Sequence, residues 1–271
     1  MSGGVFGGNP HLVEVLTPRQ TEEDIDRALQ RFAQRYSRVL EHGAVVSIPD
    51  NPMGTLHFLS TEVLGYLELR PPAEQLVVHL NTFHRKADLD EFLDAAAALG
   101  ARYILAVSGD GGPRLHRLEP AELNTDAATV SSVELLRYIR ERHPGAFTVG
   151  VAYNHYEPRD HEMQKLQRKI DAGARFVVTQ PVLGPDAGVE ALAALGLPVY
   201  AGAWMSPRLE RLYECVGREP DAAPRPYDPE GNLRELKRLY PGYGYYLSLL
   251  SLKSEWSEIL GEPEHSRRAS A

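Results

Sequence analysis

Glu14 lies in the run Val13-Glu14-Val15-Leu16, a carboxylate with apolar residues on both sides. A carboxyl group withdrawn from water keeps its proton to higher pH, which suits general acid work. The competing reading is an ion pair with an arginine or lysine on a neighbouring strand. A second group of polar residues recurs at the ends of later apolar runs: Ser47, His79, Ser108-Gly109-Asp110, Tyr153-Asn154-His155 and Thr179-Gln180. By residue type alone, Asp110 in its Gly-Asp-Gly-Gly stretch reads as a turn aspartate bonding its own backbone. His79 reads as a satisfied core histidine, and Gln180 as a cap on a packed layer. His155 with Glu157, Asp160 and His161 matches no zinc-ligand spacing, so no metal is expected.

The elements that must position these groups are eight short apolar runs: 12–16, 44–48, 75–80, 103–107, 147–152, 176–179, 198–203 and 245–252. Several are nearly continuous, as strands buried on both faces are. Between them lie stretches with helical spacing, such as Ile25, Leu29, Phe32 and Ala33, or Leu89, Phe92, Leu93 and Ala96. Thr21 with Asp24 resembles the start of a capping box. Gly100, Gly173 and Gly196 each end a helical stretch just before the next apolar run. Eight strand candidates with helical stretches alternating between them predict an α/β fold: a single (β/α)8 TIM barrel over residues 1–262. An open dinucleotide-binding sheet is disfavoured because Thr17-Pro18-Arg19-Gln20 replaces the glycine-rich turn after the first strand. Residues 215–243, rich in proline and charge, predict an irregular segment before the last strand, with one helix near 231–239. Residues 263–271 predict a disordered tail. In such a barrel the strands' C-terminal ends carry the chemistry, and the polar residues named above lie there.

The formal net charge of −8 argues against non-specific nucleic-acid binding, which needs a basic surface. No apolar run is long enough for a membrane span, and the first residues lack the features of a secretion signal. The single cysteine, Cys215, excludes an intramolecular disulfide and suits a cytoplasmic location. Self-association as a homo-oligomer is left open.

Four segments in order resemble the methylenetetrahydrofolate reductase family: Val13-Glu14-Val15-Leu16-Thr17-Pro18-Arg19; His79-Leu80-Asn81-Thr82; Ile104 to Asp110; and Leu166-Gln167-Arg168-Lys169-Ile170-Asp171-Ala172-Gly173-Ala174 running on to Val178-Thr179-Gln180. The resemblance covers about residues 12 to 183. It implies reduction of 5,10-methylenetetrahydrofolate to 5-methyltetrahydrofolate, the methyl donor for methionine biosynthesis. It also implies a folate as the small-molecule partner, with Glu14 as the acid that protonates N10. Asp110 and Gln180 match the residues that hold the pterin, and a carboxylate suits the paired donors of an aminopyrimidine edge. His79, Tyr153 and Lys169 match flavin contacts, with Ser47, Ser108, Gly109 and His155 around them.

The sequence departs from the family at the flavin. Ser108 stands where the family usually has an arginine, and Val130-Ser131 replaces a Tyr-Ala contact. Loss of a charge-assisted pair beside a pyrophosphate removes roughly 1.5–3 kcal/mol. Two hydride routes therefore stand side by side: FAD reduced by NADH or NADPH, or the reduced nicotinamide acting directly. Two other readings are a non-catalytic folate- or flavin-binding partner, and a barrel lyase or methyltransferase acting on another one-carbon pterin. A retained Glu14 counts against the first. Against a Schiff-base lyase, none of the eight strand runs holds a lysine in its interior.

Overall fold

The computed structural model describes residues 5–72, 74–219 and 226–263. Most of the expected tail, from residue 264 on, lies outside them. Eight strands close into a barrel in sequence order: β1 His11–Glu14, β2 Val45–Ile48, β3 Leu76–Leu80, β4 Tyr103–Ala106, β5 Thr148–Tyr153, β6 Phe176–Pro181, β7 Val199–Trp204 and β8 Gly244–Ser248. Every neighbouring pair is parallel, including β8 with β1. The helices between them are α1 Ile25–Glu41, α2 Ser60–Tyr66, α3 Lys86–Ala98, α4 Ser132–Arg142, α5 Arg159–Asp171, α6 Ala187–Ala191, α7 Leu209–Val216 and α8 Pro229–Leu239, with α9 Trp256–Leu260 after the last strand.

The strand period of two sorts each apolar run into two layers. Leu12, Val45, Val77, Leu105, Phe176, Val178 and Tyr246 point inward and form one cluster. Val13, Val46, Val78, Ile104, Val151, Val177 and Leu247 point outward and pack with the helices in the other. Both faces are apolar because both are covered, which is why the runs read as continuous. Inside, bulk is matched by its absence. A Cβ on Gly150 would sit 2.2 Å from the Phe176 ring, and one on Gly244 would sit 2.3 Å from Tyr200. Below them Phe6, in the 3-10 turn Val5–Gly8, plugs the floor, its ring centroid 4.5 Å from that of Tyr103 and 5.2 Å from that of Phe176.

Two local expectations are corrected. Helix α1 starts at Ile25 rather than at a box on Thr21, because the Asp24 carboxylate itself caps it, accepting from the backbone N–H of Arg27 at 3.0 Å. The stretch before β8 is also more helical than its composition suggests. α7 runs through Cys215, and α8 begins at Pro229, whose missing N–H costs nothing at a first helical position. Among the described residues no helix is long and apolar enough to cross a membrane.

Candidate active site

Period two and strand direction together place Glu14 on the inner face, one step above Leu12 and at the C-terminal end of β1, in register with Ser47. Its carboxylate borders a cavity of about 220 Å³ at the barrel mouth, which His79, Gly109, Asp110, Gln180, Trp204 and Tyr246 also line. Two groups grip the acid. The Tyr246 hydroxyl donates to Oε2 at 2.9 Å, and the backbone N–H of Leu249 donates to Oε1 at 3.3 Å. Leu249 has φ +57°, a left-handed conformation costly for a branched side chain, and it carries one of the two N–H and O–H groups holding Glu14. Burial raises the Glu14 pKa above the usual carboxylate range, outweighing these hydrogen bonds and the positive charge of Arg35. The ion pair weighed from sequence therefore exists only as long-range attraction, since no Arg35–Glu14 salt bridge forms among the described residues.

Tyr246 was missed in the sequence. Parity could have found it, because it shares the inner face with Gly244 and Ser248 while Leu247 faces out. Its neighbours continue the polar floor: the Ser47 hydroxyl pairs with His79 Nε2 at 2.8 Å, and the His79 ring lies 6.0 Å from that of Tyr246. Burial pushes the His79 pKa down to about 4, so the ring is neutral at ordinary pH.

Asp50, at the end of β2, is a second polar centre at the mouth. Its Oδ2 accepts from the Asn81 N–H at 2.9 Å and from His84 Nε2 at 2.7 Å. Burial opposes a charge on His84, yet the Asp50 carboxylate beside it lifts its pKa overall. From there the chain crosses toward Asp110 through Asn51 and Met53, both left-handed. The Met53 N–H donates to Asp110 Oδ2 at 2.9 Å. Asp110 is thus braced from the β2 loop, not from its own turn, and Oδ1 accepts no hydrogen bond among the described residues. Gln180 projects into the same cavity from β6, where a register shift between Val178 and Pro181 interrupts pairing with β7. The Thr179 hydroxyl fills the gap by accepting from Gly202 N–H at 2.9 Å.

A second cavity, of about 410 Å³, adjoins the mouth and shares Gly109, Asp110, Ala152 and Gln180 with it. Ser108, Glu157, Glu162, Lys165, Arg168, Lys169 and the start of α4 at Ser131–Ser132 also line it. Lys169 is buried and committed, donating to the Ala152 carbonyl at 2.7 Å with Glu162 at 3.8 Å. Burial lowers its pKa. Lys165 pairs with Glu162 at 3.2 Å, while Arg168 has no ion pair among the described residues. Asp110, Glu157 and Glu162 line the cavity too, and Glu134 already accepts from the Ser131 N–H at the start of α4, so Arg168 is the cation left there to meet the diphosphate of a dinucleotide. Ser108 itself is exposed and brings no charge.

The structure thus gathers Glu14, His79, Gly109, Asp110 and Gln180 at the mouth, Ser47 directly behind His79, and Ser108 and Lys169 in the adjoining cavity. It brings Tyr153 and His155 to neither. Tyr153 has the parity of Val149 and Val151, so it turns to the helix layer, where its hydroxyl is 2.7 Å from a Cβ position on Gly188. His155 lies past the end of β5 against Tyr156, their ring centroids 4.2 Å apart. Among the described residues no three His, Cys, Asp or Glu side chains are grouped to hold a metal ion.

Residues 11–189 match the family model described as methylenetetrahydrofolate reductase. The chain belongs to the methylenetetrahydrofolate reductase family. Among its relatives, a Caenorhabditis elegans protein described as a probable methylenetetrahydrofolate reductase (NADPH) is 33% identical over 160 residues, 55% of this chain and 23% of that one. Methylenetetrahydrofolate reductase 2 of Schizosaccharomyces pombe is 33% identical over 116 residues, 39% of this chain and 18% of that one. The matched stretch is thus less than a quarter of either relative's length. Among solved structures, an uncharacterized Clostridium thermocellum protein that binds two copies of 5-methyl-5,6,7,8-tetrahydrofolic acid superposes with a TM-score of 0.60. It is 11% identical, with 94% of each chain covered. A 2,3-dimethylmalate lyase superposes at 0.51 with 10% identity, covering 97% of this chain and 79% of that one. At such identities these likenesses show the barrel alone. This family member's chemistry must be argued from its own mouth.

Proposed function

We propose that this chain reduces 5,10-methylenetetrahydrofolate to 5-methyltetrahydrofolate, in the cytoplasm, with a reduced nicotinamide as the ultimate hydride donor. The observation that carries this reading is Glu14: a carboxyl group whose pKa burial has raised, gripped on both oxygens and facing the mouth beside Asp110 and Gln180. Opening the ring between N5 and N10 needs a proton on N10, and the methylene carbon then accepts hydride to become the methyl group. Glu14 supplies that proton. Asp110, with Oδ1 open and Oδ2 braced by Met53, accepts hydrogen bonds from the aminopyrimidine edge. Gln180, which can donate and accept, pairs with the pterin beside it. Neutral His79 keeps a second positive charge away from the acid, so Glu14 has no cause to release its proton early. A dinucleotide whose diphosphate meets Arg168 in the adjoining cavity would supply the hydride.

The resemblance implies FAD in that place. Ser108 favours the direct nicotinamide route, since the guanidinium expected beside a flavin diphosphate is missing. The visible spectrum of the purified protein separates the two: flavin bands support FAD, and a colourless protein that oxidises NADH or NADPH only with methylenetetrahydrofolate supports direct transfer. Neither bound flavin nor folate-dependent oxidation would sink the reductase reading.

A further inference from the structure

The proposed mechanism leaves one carboxylate of the mouth unused. Asp50 lines the mouth cavity, although its side chain is only 3% exposed. Both of its carboxylate oxygens are taken. Oδ2 accepts from the Asn81 N–H, just past β3, and from His84 Nε2, while Oδ1 accepts from the Asn51 side-chain amide at 3.0 Å. The Asp50 carbonyl accepts from Asn81 Nδ2 at 2.9 Å. A buried ionic pair adds little to stability once its desolvation is counted, so its use must be sought in what it holds in place.

What it holds is the β2 loop. The Asn51 side chain is tied at both ends, its amide to Asp50 and its oxygen to the His57 N–H at 2.9 Å. Between those ties Asn51, Met53 and Gly54 have φ of +45°, +55° and +64°. Left-handed backbone at a residue such as Met53 is sparsely populated and persists where surrounding contacts over-determine it. This course of the chain delivers the Met53 N–H to Asp110 Oδ2, the one hydrogen bond to that exposed side chain among the described residues. The β4 loop that carries Asp110 is fitted against the same frame. A Cβ on Gly109 would sit 2.6 Å from the Asn81 Cβ, and one on Gly54 would sit 2.2 Å from the Gly111 carbonyl oxygen.

We infer that Asp50 is a positioning residue for pterin recognition: through Asn51 it fixes the β2 loop so that the Met53 N–H occupies Asp110 Oδ2 and leaves Oδ1 for the aminopyrimidine edge. This rests on the pterin role proposed for Asp110. An exposed aspartate free to rotate must be ordered when the ligand binds, and one held beforehand spares that cost. His84 belongs to the device, because its bond to Oδ2 orients the Asp50 carboxylate so that Oδ1 meets Asn51.

The test titrates 5-methyltetrahydrofolate calorimetrically into the full chain and its variants. In Asp50→Asn one oxygen becomes an NH2 group, which turns a donor either toward Asn51 or toward Asn81 and His84. Kd is expected to rise by about tenfold. On an Asp110→Ala background the same change should alter Kd by less than about twofold, since no carboxylate is left to position. His84→Gln keeps an N–H near the place of Nε2 and should stay within about threefold of the wild type, whereas His84→Leu should lose about as much as Asp50→Asn. Gly54→Ala reads the same brace from the surface. Its Cβ pushes the β2 loop off Gly111, so Kd should rise by about fivefold or more, and adding Asp50→Asn should cost no more than the larger single loss. If Asp50→Asn does not fold, the contrast of His84→Gln with His84→Leu and the coupling of Gly54→Ala to Asp110→Ala decide in its place. Unchanged affinity in a folded Asp50→Asn, or a loss that carries over in full to Asp110→Ala, overturns the positioning role and leaves the reductase reading standing. Failure of the wild type to bind the folate removes both.

Discussion

Glu14 carries two expectations that pull in opposite directions. Glu14→Gln removes the transferable proton, so turnover should fall roughly 10²–10⁴-fold. Folate affinity should stay within a few-fold of the wild type, because the amide keeps the shape and one acceptor. Stability should move the other way. The folded-state pKa lies above the unfolded one, so the protonated acid's contribution is complete below about pH 4 and is lost as pH rises through the folded value. The melting temperature of Glu14→Gln should therefore gain on the wild type as pH rises. A gap that stays constant from pH 5 to 9 would show that the acid titrates normally. Tyr246→Phe removes a bond that favours the carboxylate, so the alkaline limb of the kcat profile should shift to higher pH with a lower plateau. A simple packing defect would lower the plateau and leave the limb in place. His79 behaves inversely. With its pKa pushed down to about 4, its contribution is complete above pH 6.5 and fades as pH falls toward 4. That fading amounts to as much as about 3 kcal/mol. His79→Gln should flatten this acid loss only in part, because His11, also lowered to about 4, titrates in the same window.

At the scale of elements, strands were more legible than helices, and for a physical reason. A barrel strand is buried on both faces, so each left a run of apolar residues, and all eight expected runs overlap a strand of the barrel. Helices α2 and α9, at seven and five residues, are too short to show a stripe, and went unread. Side-chain direction was legible in principle through parity. Parity explains Glu14, Ser47 and His79 facing inward, and equally why Tyr153, matched by type and place to a cofactor contact, faces the helices. What sequence could not show is contact across strands: the Tyr246 grip on Glu14, the Met53 brace on Asp110 and the fit of Phe176 over Gly150 all join residues far apart in the chain. The last of these is open to test. Gly150→Ala forces the Phe176 ring to move, at a cost of roughly 1–3 kcal/mol in thermal or urea unfolding. Phe176→Leu frees that space, so the two changes together should cost less than their sum. Strict additivity would show that the ring does not rest on Gly150.

At the scale of the whole molecule, the fold narrows the chemistry very little. The barrel that closes here also superposes on a dimethylmalate lyase, and a closed β/α barrel positions whatever residues its strand ends carry. Family membership narrows it further, yet the matched relatives are much longer than the stretch they share with this chain, so binding and turnover must be measured on the chain itself. Its own response to ligand provides that measure. A ligand that binds only the folded barrel stabilises it by about 2.7 kcal/mol at a hundredfold excess over Kd. For a barrel of this size that is a rise in melting temperature of roughly 5–10 °C. On the proposed function, methyltetrahydrofolate should produce that rise in the wild type and in Glu14→Gln alike, since the acid would act on the reaction and not on the pterin. Asp110→Ala should lose most of it, because the carboxylate braced by Met53 is the group assigned to the aminopyrimidine. If Asp110→Ala keeps the full shift, the pterin lies elsewhere in the mouth, and the bond from Met53 would be only a loop contact.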